Sequence, residues 1–414
     1  MRREDVQPLL YRAGDRLPEP DLADAAWAEG LATRRRRRRN IVIALLTVLG
    51  IAVGAAIGVG VSGNRNANFV PPPTTPSLPP GYVPPAGQIA GFDYWVAPPA
   101  GSERFLDRIH TPLGDRLRMP DDPEPLSERP LENLAAVVLE ERGGRYDALL
   151  LGGDSSWARA ELHLRPIRTG SPLSSGAISP DGRFAAFPQP GELVTVDVTT
   201  AEVFRFSLPS QDVSSVSWLG NGERILVSGP GVAYRVVVGE GGDGEKPVTA
   251  IPPAKNPASI TSPYRIDSGA VLRYLVSGDW AVDSELRLPV QAWVGQTFAT
   301  DNDTMAARLF VANDIQQVPT KASQPQVVAA ISTLRALPSS LLVLGETDPS
   351  TPGTADPAHV REPGCCAVLG WYDDYKPLIQ VRGWVLAWDV RSGKVQRVTE
   401  LAVDALAIGP GIRP

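Results

Sequence analysis

The chain has 414 residues, 43% of them hydrophobic, with 9 Trp, a formal net charge of −6 and an isoelectric point near 5.3. That is apolar material for one large domain or two smaller ones, and the acidic balance argues against nucleic acid as a partner. Only two cysteines occur, adjacent at Cys365 and Cys366, which excludes a cysteine-based metal site and any long-range intrachain disulfide.

Residues 1–39 read as a cytoplasmic tail, too short to bury a core of its own. It ends in Arg34, Arg35, Arg36, Arg37, Arg38 and Arg39, which run straight into Ile41–Val61, a stretch without charge and with one hydroxyl, Thr47. About 20 consecutive apolar residues cross a bilayer as a helix, and arginines beside a span stay on the cytoplasmic side. The pattern predicts one transmembrane helix over residues 40–62, placing the protein in the plasma membrane as a single-pass chain. Its N-terminus is then cytoplasmic, its C-terminal region extracytoplasmic, and its arginines meet anionic lipid headgroups. A cleaved signal peptide has a shorter apolar core, and Val61–Arg65 is a poor cleavage site. Gly50, Gly54 and Gly58 lie on one helix face, a spacing that lets two spans pack as a homodimer.

Arginine far outnumbers lysine, and Ala, Gly, Pro and Val are plentiful, a bias of GC-rich bacterial genomes such as those of actinobacteria. The tail, with its acidic, Trp-containing Asp21–Trp27 ahead of the arginines and one span, resembles those of actinobacterial membrane proteins that accompany extracytoplasmic-function sigma factors. That resemblance implies a contact with a cytoplasmic factor. The tail lacks the His and Cys of zinc-binding anti-sigma factors.

Residues 63–103 form a linker rich in proline, from Pro71-Pro72-Pro73 to Pro98-Pro99. Polyproline II geometry makes such a segment a semi-rigid spacer. From residue 104 to 414 short strands are predicted. Ala135–Leu139 and Tyr146–Leu151 flank a polar turn with Gly143-Gly144, a hairpin pattern. Gly176–Phe187 places two strands around Ser179-Pro180-Asp181-Gly182, where proline fixes φ and glycine supplies the left-handed position. Leu193–Val198 and Glu202–Leu208 complete a four-strand unit. The unit recurs with Asn221-Gly222 in the place of Asp181-Gly182, 40 residues on. A third copy is Val385–Val395, with Asp389 and Gly393 in its turn. Val271–Val276, Val327–Ile331, Leu341–Leu344 and Ala367–Trp371 are further strand candidates, and Ala405–Gly411 is expected to close a ring on the first blade.

A period of about 40–45 residues with four strands is a propeller-blade pattern. Ser179-Pro180-Asp181-Gly182-Arg183-Phe184 and the Trp388-Asp389 to Ser392-Gly393 stretch resemble the turns of TolB-like and WD-repeat β-propellers. The implied fold is all-β: a propeller of six or seven blades, preceded by one transmembrane helix and the Pro-rich linker. Asp181 and Asp389 read as residues that brace turns.

No catalytic site and no cofactor are indicated. None of His110, His163 and His359 accompanies a Gly-x-Ser-x-Gly elbow. Asp301-Asn302-Asp303 and Asp373-Asp374 lack the spacing of a helix–loop–helix calcium site and read as solvated loops; no metal ligand set is assigned. Cys365 and Cys366 are either bonded to one another, linked between chains, or buried as thiols. The expected role is that of a membrane-anchored, extracytoplasmic scaffold binding a protein, peptide or glycan of the cell envelope. Two alternatives stand beside it: a signalling protein whose tail contacts a cytoplasmic factor such as a sigma factor, and a cell-surface polymer hydrolase, which needs two carboxylates facing one cleft.

Overall fold

The computed structural model describes residues 81–413 apart from 169, 220–221, 239–245, 252–259, 262–263, 268, 275–279, 314–324, 333–338, 346–364 and 404. The tail, the predicted span with Arg34–Arg39 and Gly50, Gly54 and Gly58, and residues 63–80 of the Pro-rich linker lie outside the described residues. Among the described residues no helix is long and apolar enough to cross a membrane.

Strands form wherever short apolar, β-branched runs are bounded by glycine turns. Four short strands come first: β1 (Gly87–Ile89), β2 (Phe92–Val96), β3 (Arg116–Leu117) and β4 (Glu124–Pro125). Blade 1 holds β5 (Leu134–Arg142), β6 (Arg145–Gly152) and β7 (Trp157–Leu164). Blade 2 holds β8 (Phe184–Gln189), β9 (Glu192–Asp197) and β10 (Val203–Ser207), with Ile178 bridged to Ala185 at its inner position. Blade 3 holds β11 (Ser215–Leu219), β12 (Arg224–Gly229), β13 (Val232–Val237) and β14 (Val248–Ala250); blade 4 holds β15 (Ile260–Thr261), β16 (Tyr264–Asp267), β17 (Ala270–Tyr274) and β18 (Trp280–Glu285). Blade 5 consists of β19 (Val290–Ala299), β20 (Met305–Ala312), β21 (Gln326–Ser332) and β22 (Ser340–Gly345). Blade 6 consists of β23 (Ala367–Asp373), β24 (Lys376–Val381), β25 (Trp384–Trp388) and β26 (Val395–Leu401), and β27 (Ala407–Ile408) follows. The blades number six, the lower of the two expected counts.

Two devices close the ring. β27 pairs antiparallel with β5, Ala407 opposite Val137 and Ile408 opposite Ala136, so the C-terminus supplies the inner strand of blade 1. The early strands act as an outer strap. β2 adds in parallel to β22, β3 to β26 and β4 to β7, giving blades 5, 6 and 1 extra outer strands. Within the segment assigned by composition to the linker, Gly87–Ile89 and Phe92–Val96 form a hairpin that adds to blade 5. Proline content suited a stalk, but Phe92–Val96 is rich in large apolar side chains and lies between β1 and β22, with Tyr94 and Trp95 buried.

The core is divided among facing blades. One cluster joins blades 1, 2 and 3 through Leu150, Phe187 and Val227; another joins blades 4 and 5 through Tyr264 and Phe310. A third joins blades 5 and 6 through Leu309 and Trp388, and a fourth joins blades 6 and 1 through Val385 and Leu149. Indole N–H groups tie neighbours together as well: Trp218 donates to the Ala177 carbonyl and Trp371 to the Phe298 carbonyl. Among the described residues, Trp95, Trp218, Trp371 and Trp388 are buried.

Candidate binding rim

The tight turns at one end of the blades are built on carboxylates. Asp181 Oδ1 accepts from Ser179 Oγ (2.5 Å) and from the Arg183 amide (3.0 Å), while Ser179 Oγ accepts from the Phe184 amide. Gly182 has φ +76° and packs against Pro410 and Leu134, so the Ser179-Pro180-Asp181-Gly182 turn abuts the ring closure. Gly222, φ +93°, lies over Pro180 and Asp181; its neighbour Asn221 lies outside the described residues. In blade 6 Asp389 Oδ1 accepts from the amides of Arg391 (2.9 Å) and Ser392 (3.2 Å). Gly393, φ +72°, is covered by the indole of Trp95, which a Cβ there would overlap. These residues shape turns and do not converge on one point.

Asp197 braces the next turn of blade 2. Burial pushes its carboxyl up, but two bonds from Arg183 (2.8 and 2.6 Å) and two from Thr199 outweigh this and hold it below the usual carboxylate value. His163, read as a solvent-facing strand residue, is exposed, with φ +50°; its amide donates to the buried Asp147 (2.9 Å), and its Nδ1 lies 3.2 Å from the same oxygen.

The groups that do converge lie where blades 5 and 6 meet the C-terminus. Asp301, in the β19–β20 turn, pairs with Arg413, whose Nε donates to the Tyr372 carbonyl (2.6 Å). Burial, then Asp301, push the Asp374 carboxyl above its ordinary value; Asp373 adds to this and Arg413 opposes it. Lys376 bonds Asp373, and the Arg391 guanidinium stacks 3.8 Å above the Tyr375 ring. The two Asp-rich loops, separate in the sequence, thus share one electrostatic neighbourhood. Among the described residues no group of three His, Cys, Asp or Glu side chains is placed to hold a metal ion. The rim instead combines half-buried Tyr372 and Tyr375 with carboxylates partly neutralised by cations, a surface suited to cationic and hydroxyl-bearing groups. Arg413 carries no sequence signal, because its role depends on a chain end folding back beside blade 5.

Sequence reading also missed a contact across the ring. β19 bulges between Val294 and Phe298, with Gly295 at φ +65°. The bulge sends Gln296 to blade 3, where its Nε2 donates to Ser217 Oγ (3.0 Å), and against Gly176 at blade 2, where any Cβ would overlap its amide. One amide therefore links inner strands of blades that are not neighbours. At Cys365–Cys366, just before β23, the two sulfurs are bonded to one another.

No family model matches the chain, and no curated protein matches it. Solved structures similar in fold include dihydro-heme d1 dehydrogenase NirN in complex with DHE, at 13% identity and a TM-score of 0.34 over 71% of this chain and 78% of that one. A functionally unknown protein from Desulfotomaculum acetoxidans matches at 12% identity and a TM-score of 0.37, over 64% of this chain and 79% of that one. A chain of the mitotic checkpoint complex matches at 11% identity and a TM-score of 0.31, over 67% and 72% of the two chains. At these values none supports a shared activity, and the propeller is read from the chain's own sheets.

Proposed function

We propose that this chain is a membrane-anchored, extracytoplasmic binding scaffold whose propeller receives a protein, peptide or glycan at the rim between blades 5 and 6. The observation that carries the reading is the meeting of Asp301, Asp374 and Arg413, with Arg413 bonded to the Tyr372 carbonyl, drawn from two blades and the C-terminus, beside the neighbouring Tyr375 of the same hairpin. Tyrosines give flat contact area at small entropic cost, and carboxylates at the edge select a cationic or hydroxyl-rich ligand. Arg413 shows the chemistry on the chain itself: a guanidinium bonded to Asp301 and to a backbone carbonyl. The anchor in this reading is residues 40–62, with Arg34–Arg39 inside. The remaining Pro-rich segment spaces the ring from the lipid, and Gly50, Gly54 and Gly58 pair two copies.

The test is co-purification from membranes with three proteins: the full chain, a deletion of residues 1–33, and the rim variant Tyr372→Ala/Asp374→Asn. A partner kept by the deletion and lost with the rim variant supports the scaffold. A partner lost with the deletion and kept by the rim variant overturns it in favour of a tail that contacts a cytoplasmic factor.

A further inference from the structure

The disulfide between Cys365 and Cys366 is unequal in its surroundings. Cys365 is 2% exposed and belongs to the apolar cluster that holds Val368, Trp371, Ile379 and Trp388 between blades 5 and 6. Cys366 is only partly buried and packs on the edge of the same cluster. Both residues lead directly into β23, the inner strand of blade 6.

We propose that this bond is a one-sided redox latch, reached by thiols only at Cys366 and kept oxidised while blade 6 is packed. Exchange begins when an external thiolate attacks a disulfide sulfur in line with the bond that breaks. Attack at Cys366 Sγ forms a mixed disulfide there, breaks the bond to Cys365 Sγ, and expels Cys365 as a thiolate. That charge would appear inside an apolar cluster, which disfavours thiolates and so makes Cys365 a poor leaving group. The expelled sulfur also sits one residue from the mixed disulfide, so its return attack, releasing the external thiol, is intramolecular. Net reduction consumes two external thiols, which leave as their own disulfide, and gives the dithiol of Cys365 and Cys366. It proceeds once the start of β23 separates from the cluster and water reaches Cys365. The chemistry of the pair is thereby coupled to the packing of blade 6, whose β23–β24 hairpin carries Tyr372 and Asp373 at the end of β23 and Asp374 and Tyr375 in its turn.

The experiment uses the full chain with dithiothreitol as the thiol, followed by iodoacetamide labelling and mass measurement. Without reductant no thiol is labelled, even in urea. With reductant, labelling of the native protein is at least about tenfold slower than in urea. In single variants, C365S leaves a Cys366 that labels quickly in the native state, while C366S leaves a Cys365 that labels only in denaturant. Equal reduction rates in the native and urea-unfolded chains overturn the proposal, as do two labelled thiols in unreduced protein. Leu386→Ala, which loosens the same cluster, is expected to speed native-state reduction; an unchanged rate counts against coupling to packing.

Discussion

At the scale of single residues, the turn glycine Gly393 illustrates how far a sequence speaks. Its place after Ser392 marks it as a turn residue, and its φ of +72° agrees with that use. Its second reason is invisible in the sequence: the Trp95 indole rests on it, donates to the Val83 carbonyl and lies 6.0 Å from the Trp388 ring. Gly393→Ala should therefore destabilise the chain by about 1–3 kcal/mol through overpacking, read as a lowered melting temperature; a change within error would show that the indole moves aside freely. Asp197 gives a prediction in pH. Its folded value is lowered, so its stabilising contribution is present above the unfolded value of about 3.9 and is lost as pH falls through the lower folded value. Asp197→Asn should cost about 1 kcal/mol at neutral pH, kept small because Arg183 is half exposed. The difference in melting temperature between wild type and variant should shrink below pH 4. A difference that grows there would reverse the sign assigned to this carboxylate.

Elements were legible in proportion to how local their pairing is. Val327–Ile331, Leu341–Leu344 and Ala367–Trp371 are read as strands from apolar runs alone and fall within β21, β22 and β23; Val271–Val276, read the same way, matches β17 as far as Tyr274, and its last two residues lie outside the described residues. The strap was not legible. β3 and β4 are two residues long, too short for any periodicity, and their partners lie elsewhere in the chain. The bulge of β19 hid for a similar reason, since its cause is a glycine conformation and a contact across the ring. The C-terminal strand offers the sharpest test at this scale. Deleting residues 405–414 removes Leu406, Ala407, Ile408 and Ile412, all buried, and with them about 5 kcal/mol of apolar burial. Against a typical domain stability of about 5–15 kcal/mol, the deletion should lower the melting temperature sharply and broaden the transition. Unchanged melting would mean that the ring does not depend on this closure.

For the whole molecule, periodicity bounded the blade number at six or seven, and the sequence insertions at 239–246 and 347–363 blurred the count because they break the 40-residue spacing. The proposed anchor makes its own prediction at this scale: the full chain should sediment with membranes and resist extraction by high salt and carbonate. External protease on spheroplasts should release a fragment containing the propeller; full protection of that fragment would reverse the orientation. The strap has a further consequence, for the order of assembly. Arg397, near the end of blade 6, donates to the Leu106 carbonyl and to Asp115, partners 291 and 282 residues earlier in the chain. A chain made from its N-terminus presents Phe92–Val96 long before β22 exists to receive it, and Leu134–Arg142 long before β27. Blades 2, 3 and 4 depend on neighbours in sequence and can form as they emerge, while the two ends wait with apolar edges uncovered. Such long-range pairings are slow and prone to wrong partners until the last blade arrives. The period of greatest exposure to aggregation and proteolysis is therefore the interval between the appearance of the first strand and that of the last.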